Sequence, residues 1–509
     1  MKMKKINYIT SIVLAGLFCA SCELTFFPQM SYTEGNVEEI VTDEETGAES
    51  QYNTRAEMES LRNSIYSSWL KGNVIQEGFL LDGMVYAECR ADNAYGGNPG
   101  TPELMAIEAN TQDSENKNVV RDWDYYQQAA NNANQIICNI DRIKETDPSM
   151  TQEECNQWKA EALILKSFAL YQMSQIWGDI PVQNSIPPAI TEDNIEDVYH
   201  LYFPGRTKRA DVYAQVIEDL TFACQWAPDV DPSNKYLLSK AFAHGLLARV
   251  YAEKTAQDWA KVAEHCAAVE SMGFELVDDY GEMWAYDEND VVRNTKESIL
   301  EVTWTKTSGH WIWMMYHRNA YNPDDSYSWI KWITPSRDLI AAYEAEGDTE
   351  RANASIVYDE AGWSNYYPQD AYAFMHKCPT NASSIIMMRL GEIYLLHAEA
   401  LAMQGDLAGA TEYVNKIRTR AGIKTISVPS SQEAAIDAIL HERRLELAFE
   451  GFRFWDLVRH DRAIEVHNRM PETDSYWQPR RPLTEDTILM PIPQAVLDNN
   501  PSLVQNPGY

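Results

Sequence analysis

Residues 390–422 read LGEIYLLHAEALAMQGDLAGATEYVNKIRTRAG. Tyr394, Ala398 and Ala400 precede the Gly405-Asp406 turn, and Ala410, Tyr413 and Ile417 follow it. Small residues at a helix crossing let two backbones approach closely, and aromatic rings fill the gaps that remain. The stretch therefore reads as helix, tight turn and second helix, a degenerate tetratricopeptide-like pair. Such a pair cannot bury its apolar face alone and must stack on further pairs.

Further pairs are present on both sides. Helical periodicity runs over 121–143 with 152–177, and over 211–226 with 238–254, followed by 259–271. It returns over 385–404 with 407–421, followed by 432–449. Within 239–273, Ala241, Ala248, Ala263 and Ala267 alternate with Leu247, Tyr251 and Trp259. No Pro/Gly/Ser-rich linker separates these units, so the pattern predicts one domain over 22–509, although length alone suggests about three. The predicted fold is mainly α: a superhelix of tetratricopeptide-like helix pairs with a large irregular region and few short strands. Two stretches lack helical period, 83–118 and 302–378, and a long irregular segment inside a helical scaffold is usually functional.

The N-terminus reads as an address. Lys2, Lys4 and Lys5 precede a short apolar run over 9–18, well below the ~20 residues that span a bilayer. Ala20 and Ser21 then lead into Cys22. This order predicts a lipoprotein signal over 1–21, cleaved before Cys22, with Cys22 acylated and holding the chain on a membrane. Cys19 follows bulky Phe18 and is the poorer acceptor.

The chain carries 42 Lys and Arg against 76 Asp and Glu, a formal charge of −34, and removing 1–21 takes away three more lysines. So acidic a surface repels phosphate backbones and anionic lipid heads, which excludes nucleic acid as a partner. The remaining cysteines show neither metal-ligand spacing nor a dense disulfide framework, and Cys138 and Cys266 are expected in the core. No nucleophile elbow, phosphate loop or HExxH pair occurs, and neither a metal nor a cofactor is expected.

Glu442, Glu446 and Glu450 recur every fourth residue and stack like charges along one helical face. A general acid/base pair is one reading. The other is a salt-bridge network with Arg443 and Arg444, and with Arg389, Arg418 or Arg453. With so many arginines alongside, the carboxylates stay ionised and leave no proton donor, so the structural reading is preferred and no catalytic residue is expected.

The run from Glu442-Arg443-Arg444-Leu445 through Glu450-Gly451-Phe452-Arg453 to Asp456-Leu457 resembles the C-terminal signature of SusD/RagB proteins. So do Met490-Pro491-Ile492-Pro493-Gln494 and the ending Gln505-Asn506-Pro507-Gly508-Tyr509. The blocks 389–400, 415–422, 161–171 and Gly178-Asp179-Ile180-Pro181 fit the same family in the same order. The resemblance implies an extracellular, outer-membrane lipoprotein that captures a nutrient, most often a glycan, without catalysis. It also implies a SusC-type TonB-dependent transporter as partner. A peptide-binding member of the family is the alternative, and a surface glycoside hydrolase a more remote one.

The family blocks carry fold and partner contact, so ligand residues must come from physics. Sugars present C–H faces that stack on Trp and Tyr, while planar amide, carboxylate and guanidinium groups bond their hydroxyls. Alternation in 310–316 places Trp311 and Trp313 on one side of an extended strand. Tyr327, Trp329 and Trp332 form a second aromatic cluster. Arg90, Asp92, Asn93 and Tyr95, beside the flexible Gly96-Gly97, supply the polar groups. Asn322-Pro323-Asp324-Asp325 is a weak calcium loop that lacks spaced ligands.

Overall fold

The computed structural model describes residues 52–97, 100–322, 331–477 and 479–509, and Ser50–Tyr509 form one compact unit. The expected signal peptide and Cys22 lie outside the described residues.

The first helix, α1 (Arg55–Ile65), opens on a Thr54/Glu57 capping box and leads into wide π-helical turns at Tyr66–Leu70, Val74–Asp82 and Val85–Cys89. After β1 (Ala94–Gly96) and α2 (Pro102–Glu108) comes the long α3 (Lys117–Thr146). Its partner α4 (Gln152–Trp177) begins at a second capping box, Thr151/Glu154, and is buried on every side between Ala160 and Leu170. A helix buried all round belongs at the centre of a fold, and α4 sits there with its interior Glu161 and Lys166 hydrogen-bonded to Arg62 and Asn134.

Strand β2 (Ile180–Pro181), α5 (Ile195–Tyr202) and β3 (Arg206–Thr207) form an excursion before α6 (Arg209–Trp226). The helices α7 (Lys240–Ala252) and α8 (Trp259–Glu270) follow, N-capped by Ser239 and Asp258. Then come β4 (Ser298–Val302), β5 (Ile333–Pro335), α9 (Arg337–Glu346), α10 (Thr349–Ser355), β6 (Ile356–Asp359), β7 (Tyr372–Met375) and β8 (Ile385–Arg389). The chain re-enters the superhelix at α11 (Leu390–Met403), α12 (Leu407–Arg420) and α13 (Gln432–Glu446). It ends with α14 (Arg453–Arg459), α15 (Ala463–Thr473) and α16 (Gln494–Asn499).

Successive helices stack in one continuous series: α3 on α4, α4 on α6, α6 on α7, α7 on α8, α8 on α11, then α11 on both α12 and α13. The fold is mainly α, a superhelix of helix pairs with short two-stranded ribbons. The whole stretch from the end of α8 to β8 is an insertion that leaves the superhelix and returns to it. Gly245 lets α7 lie close to β8: a Cβ there would lie 2.1 Å from Met388 Sδ, so the methionine side chain would have to move aside.

Three expectations need correction. Residues 385–389 are not the first turn of a helix but strand β8, because Ile385 and Ile386 pair antiparallel with Val302 and Glu301 of β4. The region 302–378 is not wholly irregular: it carries α9 and α10, capped by Ser336 and Asp348. Cys266 is buried as expected, but Cys138 is exposed on α3.

The glutamate ladder is a buried salt-bridge network. Glu442 meets Arg351 and Arg418 at 2.7 Å each. Glu446 meets Arg389 at 2.6 Å and Arg351 at 3.1 Å, with Arg420 also in contact. Glu450 meets Lys377 at 2.6 Å and Arg389 at 2.8 Å. Burial alone would raise the Glu446 carboxyl, but Arg420, Arg389 and Arg351 hold it well below the ordinary range. Arg389 and Arg418 act as the sequence suggests. Arg443, Arg444 and Arg453 instead hold Asp456, Asp338 and Asp92.

Candidate functional site

The polar residues expected to face a ligand are interior, which corrects the reading of 90–95. Arg90 is fully buried, donates from Nη2 to the carbonyls of Thr487 and Ile488, and lies 4.1 Å over the Phe454 ring. Asp92 is clamped by Arg453 at 2.8 Å and Arg444 at 3.4 Å. Asn93 donates to Glu88 Oε2 at 2.6 Å and accepts from Arg444 Nε at 2.9 Å. Tyr95 stacks on Tyr366 with centroids 4.6 Å apart and donates its hydroxyl to Asp474 at 2.7 Å. These groups tie the 90–95 turn to the C-terminal helices. Gly96 and Gly97 are not loose hinges either: a Cβ on Gly97 would meet Lys331 O at 2.1 Å, so β1 lies directly against the backbone before β5.

The aromatic residues divide. Residues Ile312–Met315 form a tight 3₁₀ turn rather than a strand. At about three residues per turn, positions two apart point in different directions. Trp311 accordingly remains 37% exposed while Trp313 is buried, so the two do not share a face. Trp332 is half-buried and turns its indole N–H inward, donating to Asp82 Oδ1 at 3.2 Å. Tyr327 and Trp329, like Asp324 and Asp325 of the weak calcium loop, lie outside the described residues.

Sequence reasoning missed Tyr286. It is 40% exposed and meets Tyr321 edge-on, with centroids 6.2 Å apart. The Lys306 ammonium sits 3.6 Å over the Tyr321 ring, and the same Nζ donates to the Glu288 carbonyl at 2.7 Å. One support carries this group. His310 N–H donates to Asn381 O and Ala320 N–H to Pro379 O, while Asn381 Nδ2 donates to Lys306 O. The two ends of the segment bearing Trp311 and Tyr321 are thus pinned to the 379–381 turn. Around it stand the exposed carboxylates Asp287 and Asp290, the latter paired with Arg293 at 2.9 Å.

The segment thus carries two aromatic features, the Tyr286–Tyr321 pair with polar groups at its edge and the separately exposed Trp311, and exposed rings of this kind suit stacking on a sugar. Two small cavities share Phe79 and Glu450 in their linings, and neither is lined by Trp311, Tyr286 or Tyr321. Among the described residues, no cluster of three His, Cys, Asp or Glu is placed to hold a metal, and no helix is long and apolar enough to cross a membrane.

The chain is thus a helical-repeat superhelix whose inserted segment exposes aromatic rings and whose glutamate ladder is fully compensated by buried cations. Comparison with known proteins identifies the family. The model of the SusD family matches residues 372–509, and the one described as starch-binding associating with outer membrane matches 36–252. SusD-like protein P38 of Formosa agariphila is 24% identical over 479 residues, covering 86% of this chain and 89% of that protein. A SusD-like protein of Bacteroides ovatus is 23% identical over 402 residues, covering 70% and 68%. Among solved structures, a SusD superfamily protein of Bacteroides vulgatus superposes with a TM-score of 0.72 at 19% identity, covering 90% of this chain and all of that one. Surface glycan-binding protein A of Bacteroides fluxus gives 0.71 at 24%, and a laminarin-binding SusD-like protein 0.70 at 21%, with the same coverage. The chain belongs to the SusD/RagB family.

Proposed function

We propose that this protein captures a glycan at the bacterial surface and passes it to a SusC-type TonB-dependent transporter, binding without catalysis. The observation that carries the reading is the exposed indole of Trp311, standing on the same inserted segment as the Tyr286–Tyr321 pair. Family membership supports it, as do the glycan- and laminarin-binding names of two structural neighbours. Glu446 and Glu450, the carboxylates closest to a hydrolase pattern, are held ionised by buried arginines and have no proton to give.

The test is calorimetric titration of the mature chain with plant, microbial and host glycans, peptides included. Saturable glycan binding without product formation supports the reading, and saturable binding of peptides alone would replace it with the peptide-binding alternative. The anchor is proposed at Cys22. In cells, Cys22→Ala should release the protein from the membrane fraction; a variant that stays with the membrane would remove the anchor from this account.

A further inference from the structure

Two histidines that stand apart in the sequence meet where α7 packs on α8. His244 is on α7 and His265 on α8, and their Nδ1 atoms lie 2.9 Å apart. The ring centroids are 5.1 Å apart and the planes are tilted by 44°. Tyr251 follows His244 by two turns on the same face of α7, and its ring stacks on His265 at 5.7 Å, tilted by only 9°. Both imidazoles are half-buried, so they are held in place and still meet solvent.

Two Nδ1 atoms this close cannot both carry a proton. One accepts the N–H of the other, and the shared proton lies where two lone pairs would otherwise converge. The same arrangement suits two neighbouring ligands of one ion. Imidazole nitrogen binds zinc at about 2.0–2.1 Å, which sets two such nitrogens on a tetrahedral ion roughly 3.3–3.4 Å apart. An opening of roughly 0.4 Å therefore turns the hydrogen bond into a pair of ligands. The displaced proton goes to Nε2 of the same ring, because a neutral imidazole carries it on either nitrogen.

The surroundings keep both rings neutral, the form a metal needs. Burial pushes His265 down to about 4, and His244 adds to that fall; burial lowers His244 as well. Lys261 acts in the same direction on His265 and Lys240 on His244, while Glu264 opposes the fall at both. Glu264 is exposed and pairs with Lys261 at 2.7 Å, and the chain as a whole, at −34, attracts cations. Among the described residues, no third His, Cys, Asp or Glu completes a cage, which leaves the other ligand positions to water. A pair of imidazoles with water selects zinc or copper(II) over calcium or magnesium, which require oxygen ligands.

We propose that His244 and His265 form a two-histidine site for a divalent transition-metal ion of the zinc and copper class, bound through both Nδ1 atoms. Such an ion ties α7 to α8 just before the chain leaves the superhelix for the inserted segment, and its binding adds to the stability of that helix pair. The site belongs to the scaffold and needs neither the glycan nor the transporter.

The experiment is calorimetric titration of the chelator-treated mature chain, purified without a histidine tag, with zinc chloride and separately with calcium chloride. Zinc should saturate at one ion per chain, and calcium should not bind there. His244→Ala and His265→Ala should each weaken zinc binding at least tenfold and abolish the rise in melting temperature that zinc gives the parent. His441→Ala, whose ring pairs with Glu346 at 3.0 Å elsewhere on the surface, should leave both unchanged. Electron paramagnetic resonance of the one-to-one copper(II) complex should show two nitrogen ligands in the parent and one in each variant. If His265→Ala does not fold, His265→Gln takes its place with the same expectations. No saturable zinc binding by the folded parent, or zinc binding that survives both substitutions, would reduce the pair to a hydrogen bond between neutral rings.

Discussion

Trp332 donates its indole N–H to Asp82 Oδ1 across 3.2 Å, although 250 residues separate them in sequence. The contact joins the middle of the inserted segment to the π-helical turn Val74–Asp82. Asp82 is fully buried and also accepts from Asn118 Nδ2 at 3.0 Å, with Arg121 in contact on its other oxygen. Burial raises the carboxyls of both Asp82 and its neighbour Asp122, and repulsion between the two adds to the rise at Asp122. Trp332 is therefore anchored by its polar edge and offers solvent only a face, whereas Trp311 is held by the backbone around it.

That difference separates two tryptophans that look alike in sequence. Trp332→Phe keeps a ring but leaves Asp82 one donor short, which should lower stability by about 1–2 kcal/mol. Its glycan affinity should stay within about threefold. Trp311→Ala should weaken binding about tenfold, or ~1.4 kcal/mol, with little loss of stability. Urea midpoints and calorimetry on both variants check the pair. Equal affinities for Trp311→Ala and the parent would move the ligand away from Trp311.

The centre of the salt-bridge network makes a second prediction. Arg389 serves Glu297, Glu446 and Glu450 together while fully buried, so Arg389→Ala leaves three interior carboxylates sharing only Arg351, Arg420 and Lys377. A loss of about 3–5 kcal/mol is expected. Adding Glu446→Gln to that variant should cost less than the two single losses combined, because the excess negative charge left by the missing arginine is then removed. Additive losses in a denaturation cycle would argue against direct coupling.

How much of this was legible in the sequence depended on the range of the interaction. Helix α4 was read to its exact ends, because Thr151 caps it and Gly178 stops it within a few residues of the pattern. The Gly405-Asp406 turn was equally local, with Gly405 at a φ of 88° and Asp406 capping α12. Strand β8 was not, since nothing in 385–389 announces that β4 will pair with it. Arg90, Asp92 and Asn93 looked like ligand groups for the same reason. Their partners Thr487, Arg453 and Arg444 are more than 350 residues away, and a polar residue looks available until its partner is seen. Trp311 and Trp313 failed on period, because alternation in a short segment cannot tell a strand from a 3₁₀ turn.

Burial of histidine gives a pH prediction. His467 has no exposed surface, and burial beside Arg480 lowers its pKa from 6.5 to about 3. The folded state thus refuses a proton that the unfolded chain takes up below about 6.5. The stability this neutral imidazole contributes is complete above that pH and falls as the solution is acidified toward 3. His467→Gln removes the dependence. Between pH 7.5 and 5 the stability difference between parent and variant should therefore shift against the parent by about 2 kcal/mol. A constant difference across that range, measured by urea unfolding, would mean that His467 is protonated in the fold.

The contact between β1 and the backbone before β5 sets the position of Trp332. Gly97 N–H donates to Trp332 O at 3.0 Å, and a Cβ on Gly97 would lie 2.1 Å from Lys331 O. Gly97→Ala must push the Lys331-Trp332 backbone away and with it the indole that Asp82 holds. Overpacking of this kind costs about 1–3 kcal/mol. The control is Gly273→Ala, where φ is 86° but no atom lies within 4 Å of the added carbon, so the cost is backbone strain alone, about 1 kcal/mol. Both variants should lose stability, yet only Gly97→Ala should shift the tryptophan emission. If the two variants give the same emission, the 331–332 backbone has room to yield, and Trp332 does not depend on the glycine beneath it.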